Sequence, residues 1–86
     1  MSEDAQLLLY YREGCHLCEE LASLLFRGWP QLAEGMQWRD VDSHPQWAEN
    51  YGLRVPVLLE GGRLVVELVA DRDALQQHFG APDNPL

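Results

Sequence analysis

The sequence has no lysine, and its 6 basic residues, all arginines, face 14 acidic residues, which gives a net charge of −8. A surface this acidic repels phosphate, so we expect neither nucleic acid nor an anionic membrane as a partner. Only two cysteines are present, which excludes a disulfide-rich scaffold and a four-cysteine metal site within one chain. No apolar run approaches the ~20 residues of a transmembrane helix.

A secretory signal is also missing from the pattern. The chain begins Met1-Ser2-Glu3-Asp4, which is acidic where a signal peptide needs a basic stretch. We therefore expect a cytoplasmic protein whose thiols are kept reduced. The chain has 86 residues, of which 47% are hydrophobic, enough for one small core. We expect a monomer with a single domain over residues 1–86, whose ends at residues 1–5 and 80–86 fray.

The first half of the chain predicts two strands and a helix. Residues 6–11 form a first strand, and the continuous apolar run Leu7–Tyr11 is typical of a central strand covered on both faces. A helix then begins near Cys15 and is stopped by Gly28 and Pro30. Its apolar stripe consists of Leu17, Leu21, Leu24 and Leu25. Residues 36–41 form a second, weaker strand suited to a sheet edge.

The second half predicts two helices around a hairpin. Ser43 can cap a helix that has Pro45 in its first turn, buries Trp47, Ala48 and Tyr51, and ends at Gly52. Strands at 55–59 and 64–69 flank Gly61-Gly62, a pair that favours a tight antiparallel turn. Asp71 can cap a last helix that ends at Gly80 and turns Ala74, Leu75 and Phe79 inward.

The resulting order is β-α-β-α-β-β-α, a βαβ unit followed by a ββα unit. Such an order predicts an α/β fold with a four-stranded mixed sheet and helices on both faces. Helices on both faces account for a first strand that is apolar on both sides.

Cys15 and Cys18 stand where a buried strand ends and a helix begins. The free N–H groups and the dipole of a helix N-terminus stabilise a thiolate, so we expect the Cys15 pKa to lie below that of a free cysteine. Cys15 would be the nucleophile, and Cys18, almost one turn further in, would resolve a mixed disulfide. Arg12 and His16 add positive or titratable charge nearby. A structural disulfide, a metal site completed by further ligands and an inert pair of small apolar residues are the alternatives.

Pro56 opens an otherwise regular strand, a place where sheets tolerate proline. The residues alone favour an ordinary trans bond, since only about 5–6% of X–Pro bonds are cis. Two other residues, Trp29 and Trp38, are not placed by the pattern. An exposed aromatic residue near the cysteines would indicate a partner surface.

Together these stretches resemble the thioredoxin superfamily and, within it, the small glutaredoxin-like proteins. Residues 10–18 resemble the glutaredoxin segment that runs from a strand into the active site, with Arg12 three positions before the first cysteine. The stretch from Asp40-Val41-Asp42 through Tyr51-Gly52 to Val55-Pro56-Val57-Leu58 resembles the approach to the cis-proline of the superfamily. The resemblance covers nearly the whole chain.

The resemblance implies a thioredoxin-like fold, a redox-active disulfide and a role in cell redox homeostasis. It implies a cis Val55–Pro56 bond packed against the cysteines, with the Val55 backbone pairing an extended substrate. Glutathione is then a candidate co-substrate, with Arg12, Arg54 and Asp71, or else Asp73, as residues that hold it. No bound cofactor or metal is implied.

Several positions depart from that family. His16-Leu17 replaces the usual Pro-Tyr between the cysteines, and Arg54 replaces the usual threonine before Val-Pro. Val69-Ala70 replaces the Gly-Gly that lets glutathione approach, and Leu9 occupies the position of the buried acid of thioredoxins. We expect a thiol–disulfide oxidoreductase that acts on a protein or glutathione disulfide. A non-catalytic binding module and a metal or cluster carrier are the competing hypotheses.

Overall fold

A computed structural model describes residues 6–86, so the expectation for residues 1–5 lies outside the described residues. Four strands and four helices follow in chain order, with a 3-10 turn at Val41–Ser43 before the third helix. The strands are β1 Leu7–Tyr11, β2 Gln37–Asp40, β3 Val57–Glu60 and β4 Arg63–Glu67. The helices are α1 His16–Gly28, α2 Pro30–Glu34, α3 Pro45–Tyr51 and α4 Arg72–Phe79.

The four strands form one mixed sheet in the order β2-β1-β3-β4. Strand β1 runs parallel to β2 and antiparallel to β3, and β3 pairs with β4 through the hairpin. Gly61 and Gly62 both have positive φ angles, 58° and 83°, which glycine adopts without steric cost and a two-residue turn requires. The expected α/β class, the central position of β1 and the hairpin are confirmed.

The two faces of the sheet are covered differently. Leu7 and Leu9 turn to one face, where they join a large cluster built mainly from α1, α2 and α4. Leu8 and Tyr10 turn to the other face, where they meet a smaller cluster with α3. This alternation explains why β1 reads as a continuous apolar run.

The region after α1 differs from the expectation. Gly28 ends α1 as predicted, but Pro30 begins the extra helix α2 instead of only stopping the chain. The backbone N–H groups of a first helical turn have no partner within the helix, so proline, which has no N–H, fits there without losing a hydrogen bond. Pro30 can therefore start a helix although it cannot continue the one before it. Trp29, at the junction, is buried and packs against Phe79.

Three further expectations are corrected. The cap of α3 is His44, whose Nδ1 accepts from the Gln46 N–H at 3.3 Å, whereas Ser43 donates to the Asp40 carbonyl. Leu17 does not join the buried stripe of α1, because its side chain is 40% exposed. The tail at 80–86 is docked: the Asp83 N–H donates to the Gly28 carbonyl at 2.6 Å.

Other contacts complete the tail. The Asn84 amide donates to the Arg27 carbonyl at 2.9 Å, and Leu86 packs against the larger cluster. These contacts satisfy carbonyls at the end of α1 that have no partner within the helix. No helix within residues 6–86 has the length and apolar character needed to cross a membrane.

Candidate functional site

One end of the sheet collects the residues that the sequence singles out. Tyr10 of β1 pairs with Val57 of β3, and Tyr11 pairs with Asp40 of β2. The chain therefore leaves β1 toward Cys15 at the same end of the sheet where it enters β3 through Val55–Pro56. The carboxyl end of β4 lies at this end of the sheet too, since Glu67 pairs with Val57.

Cys15 is the N-cap of α1, and it forms a disulfide with Cys18 across a Cα–Cα distance of 5.2 Å. Gly14 precedes it with φ 77°, a conformation that suits glycine. The Cys15 Sγ accepts the Cys18 backbone N–H at 3.1 Å, as a capping side chain does. Cys15 is half-buried, whereas Cys18 is only 3% exposed. The outer sulfur is therefore the one that a second molecule can reach.

His16 and Leu17, the two residues between the cysteines, are both exposed in the first turn of α1. The His16 side chain faces a groove that it shares with Arg27 and Arg72, on the side of α1 toward α4. It lies beside the cysteines along the chain, but no hydrogen bond joins its ring to the rest of residues 6–86.

The Arg12 guanidinium is held by three hydrogen bonds to residues near α3. Its Nε and Nη2 donate to the two carboxylate oxygens of Asp42 at 3.0 and 3.2 Å, and its Nη1 donates to the Gly52 carbonyl at 3.1 Å. The hydrogen bond to Asp42, followed by the charge of that carboxylate, raises the pKa of Arg12 above its ordinary value. The backbone of Arg12 also accepts the Cys15 N–H at 3.2 Å. Arg12 thus ties the turn that precedes Cys15, which we call the active-site turn because the sequence predicts the nucleophile there, to the segment around α3.

The Val55–Pro56 peptide bond is cis, and Pro56 is fully buried. The Leu68 N–H donates to the Pro56 carbonyl at 2.9 Å and to the Arg54 carbonyl at 3.2 Å, and Leu68 has φ 72°. Within residues 6–86 the Val55 N–H and carbonyl have no backbone partner. These two groups therefore have hydrogen-bonding capacity that the backbone of the described residues does not use.

Arg54 and Asp71 make internal contacts. The Arg54 guanidinium binds Glu67 Oε1 through its Nε at 2.7 Å and its Nη2 at 2.6 Å. Asp71 caps α4, accepting the Ala74 N–H at 3.1 Å, as the sequence predicted. Val69, at one of the two positions where the family resemblance places glycine, has a half-exposed side chain.

A cleft of about 310 Å³ lies between the end of β1, the turn before α1, the first turn of α1 and the edge strand β2. Tyr11 and Trp38 line it with rings in an edge-to-face arrangement, their centroids 5.7 Å apart. Cys18 and the exposed Glu13 and Glu19 also line it. We call this space the aromatic cleft. Sequence reasoning did not place Trp38; its position on a weak strand suited to a sheet edge was the available signal.

A metal site within this chain would need several converging ligands. No group of three His, Cys, Asp or Glu side chains suited to a metal ion occurs in the described part of the chain. A metal or cluster carrier would have to take ligands from a second molecule.

Solved structures show the same fold. A structural-genomics target protein from X. campestris is 32% identical, with 84% of this chain and 92% of that chain covered and a TM-score of 0.65. A thioredoxin mutant from Halobacterium salinarum NRC-1 is 30% identical, with 99% and 80% covered and a TM-score of 0.57. The holo form of glutaredoxin C1 from Populus tremula x tremuloides, 16% identical with 92% and 81% covered and a TM-score of 0.57, shares the fold.

No curated protein sequence matches this chain significantly. The model of the glutaredoxin-like domain (DUF836) matches residues 6–80. Together with the Cys15–Cys18 pair, these likenesses support a redox function of the thioredoxin–glutaredoxin type. Because the match spans most of the chain, this protein belongs to the glutaredoxin-like domain family (DUF836).

Proposed function

We propose that this protein is a dithiol oxidoreductase that reduces disulfides with Cys15 as nucleophile and Cys18 as resolving thiol. The observation that carries the proposal is the asymmetry of the pair. Cys15 is a half-buried residue at the N-cap of α1 whose Sγ accepts the Cys18 N–H, whereas Cys18 is almost fully buried. A helix N-terminus stabilises a thiolate at this position, which makes Cys15 the attacking sulfur.

The reaction has two exchange steps. The Cys15 thiolate attacks one sulfur of a substrate disulfide; the substrate S–S bond breaks, and its other sulfur leaves as a thiolate that takes up a proton. Cys18 then loses its proton and attacks Cys15 Sγ, which closes the Cys15–Cys18 disulfide and expels the second substrate sulfur. The substrate gains two electrons, and the protein loses two.

The residues around Pro56 orient the substrate in this proposal. The free N–H and carbonyl of Val55 would pair with the backbone of an extended segment and align its disulfide with Cys15. The same arrangement serves a protein disulfide or a glutathione disulfide. A thiol reductant, such as reduced glutathione, would return the pair to the dithiol form.

Replacement of each cysteine by serine tests the mechanism. With hydroxyethyl disulfide as a small neutral substrate, Cys15→Ser should remove activity, because no nucleophile remains. Cys18→Ser should retain the first step and accumulate a mixed disulfide on Cys15, visible by intact mass. Equal rates for wild type and Cys15→Ser would overturn the proposal and leave a binding module with an idle cysteine pair.

We further propose glutathione as co-substrate, held in competition with internal acids. The guanidinium groups of Arg12 and Arg54 already bind Asp42 and Glu67, so a glutathione carboxylate must share or displace those partners. Equilibration against graded ratios of reduced and oxidised glutathione should give a dithiol-to-disulfide transition and a Cys15 adduct. Asp42→Asn, which frees the Arg12 guanidinium, should lower the KM for glutathione, and Arg12→Gln should raise it. Absence of any adduct at every ratio would assign the electrons to another donor.

A further inference from the structure

The aromatic cleft carries a feature that the exchange chemistry does not use. Its walls include two aromatic rings, those of Tyr11 and Trp38, and the Trp38 side chain is 46% exposed on the edge strand β2. Phe26 of α1 lies outside the cleft lining, but its ring stacks on Trp38 at a centroid distance of 6.4 Å and helps to hold that ring in place. Exposed aromatic faces in contact with one another mark a binding surface more often than a solvated one.

The charges around these rings that have no ion-pair partner in the described residues are negative. Glu13 and Glu19 are exposed residues that line the cleft, and neither carboxylate makes an ion pair within residues 6–86. Arg12 also lines it, but its guanidinium is bound through three hydrogen bonds to Asp42 and Gly52. The cation is therefore neutralised by its own partner, and the field in the cleft is that of the two glutamates.

The size of the cleft is enough to hold one side chain. Its volume, about 310 Å³, lies near the lower end of the ~300–1,000 Å³ typical of small-ligand pockets. Its lining includes Cys18, the buried member of the pair, so an occupant sits next to the resolving cysteine and close along the chain to Cys15. Val55 and Pro56 do not line it, so this subsite is separate from the groove where the substrate backbone would pair.

We propose that the aromatic cleft binds a basic side chain, best an arginine, of the polypeptide whose disulfide the cysteine pair reduces. Aromatic faces attract cations, and a guanidinium group stacks on them while it donates to carboxylates. The net charge of −8 favours a basic partner as well, because it attracts the partner before contact. This proposal rests on the proposed function, to which it adds a substrate class: protein disulfides with an arginine near the reacting cysteine.

A pair of peptide disulfides tests the subsite. The peptides are identical except that one carries arginine and the other carries citrulline, its neutral isostere, next to the cysteine. The wild-type protein should reduce the arginine peptide with a kcat/KM about three- to tenfold higher, the scale expected for one exposed cation–π contact with a weak ion pair. The preference should shrink as salt is added.

Matched variants separate the cleft from the overall charge. In the double variant Glu13→Gln with Glu19→Gln, the ratio of kcat/KM for the arginine peptide to that for the citrulline peptide should fall close to one. Trp38→Leu, which keeps an apolar side chain at this position but removes the aromatic ring, should lower the same ratio. Glu34→Gln with Glu49→Gln removes the same two charges from exposed positions on α2 and α3, outside the cleft. This control should keep the preference. An equal loss in both double variants would show general charge attraction and overturn the subsite.

Two readouts distinguish the failure of the subsite from the failure of the proposed function. If wild type reduces hydroxyethyl disulfide and both peptides, with no preference for arginine, the function stands and the subsite is wrong. If no disulfide is reduced, the function is wrong, and binding decides the subsite. A cysteine-free arginine peptide should then shift the Trp38 indole N–H resonance of the oxidised protein, whereas the citrulline peptide should not. Absence of that shift would overturn the subsite as well.

Discussion

The two faces of the sheet are packed by different kinds of side chain. On the face covered by α1, α2 and α4, twelve buried residues form one cluster, most of them aliphatic. On the face covered by α3, the apolar cluster of the described residues has three buried members, Tyr10, Val41 and Val57, and half-buried side chains complete the layer. There the Tyr10 and Tyr51 rings stack at 3.9 Å.

An arginine belongs to the second face. The Arg39 guanidinium lies 5.0 Å from the Trp47 ring centroid, and its Nη1 donates to the Tyr10 hydroxyl at 2.8 Å. The first face gains its stability from apolar area removed from water, which has no direction. The second face consists of contacts that fix orientation, and the region around α3 supplies both partners of Arg12, Asp42 and Gly52. One face stabilises the fold, and the other orients the active-site turn.

The largest effect on stability is expected on the first face. Leu25 is fully buried in its cluster, so Leu25→Ala should lower the free energy of unfolding by about 2–5 kcal/mol, measured by urea denaturation. Activity of the molecules that remain folded should change little, because Leu25 lies about two turns beyond Cys18 on α1 and does not line the aromatic cleft. Leu25→Met, which keeps the volume, should cost less than ~1.5 kcal/mol. Equal losses from both variants would contradict the role of close packing here.

A smaller loss of stability with a larger loss of activity is expected at Gly52, beside the second face. A Cβ at this position would meet the Ala48 carbonyl oxygen and would lie 3.2 Å from Arg12 Nη2. Gly52→Ala should therefore cost about 1–3 kcal/mol of unfolding free energy and displace Arg12, which slows thiol exchange. Gly35→Ala is the control, because its nearest neighbour would lie 3.9 Å away. If Gly52→Ala lowers stability but leaves the rate of thiol exchange unchanged, the position of Arg12 does not control the reactivity of the cysteine pair.

Arg39 sharpens the comparison within the second face. Arg39→Lys keeps the charge but loses the planar guanidinium that lies over Trp47 and bonds to Tyr10, so we expect a loss of about 1 kcal/mol in thermal or urea denaturation. Arg63→Lys, on an exposed residue of β4, is the matched control and should be close to neutral. If the two variants behave alike, the contacts of Arg39 contribute charge alone.

The smallest effect is expected for the Arg12–Asp42 pair, since both side chains are partly exposed. Asp42→Asn should lower stability slightly, and less so at high salt. A cation with a raised pKa contributes stability below its unfolded pKa and loses it as pH rises through the folded pKa. For Arg12 the folded and the unfolded pKa both lie above pH 10. The difference in unfolding free energy between Asp42→Asn and wild type should therefore stay constant from about pH 6 to pH 10. A difference that falls within that window would assign the effect to another group.

Local pattern predicted most of the fold because the relevant forces act over a few residues. The apolar run of β1, the Gly61-Gly62 turn and the Asp71 cap each depend on neighbours along the chain. The extra helix α2 was missed because Pro30 both stops one helix and starts another. The periodicity of α1 gives the direction of its apolar face but not how far the sheet extends beneath it, so Leu17 was wrongly placed in the core.

The candidate site also has features that the sequence predicted and features that depend on contacts between distant parts of the chain. The cysteine pair and Pro56 were visible from spacing and from the family resemblance. The partners of Arg12 and Arg54 were not, because Asp42 lies 30 positions from Arg12 and Glu67 lies 13 from Arg54. The aromatic cleft was also missed, since it exists only where the parallel register of β1 and β2 brings Tyr11 and Trp38 together.

The location of Trp38 gives the protein an optical reporter of its own redox state. Trp38 shares a cleft with Cys18, whereas Trp29 is buried against Phe79 and Trp47 lies against His44 on the other face of the sheet. A disulfide quenches the fluorescence of a nearby indole, and two thiols quench it less. The emission of Trp38 should therefore rise when the pair is reduced, so that turnover can be followed without any label on the substrate.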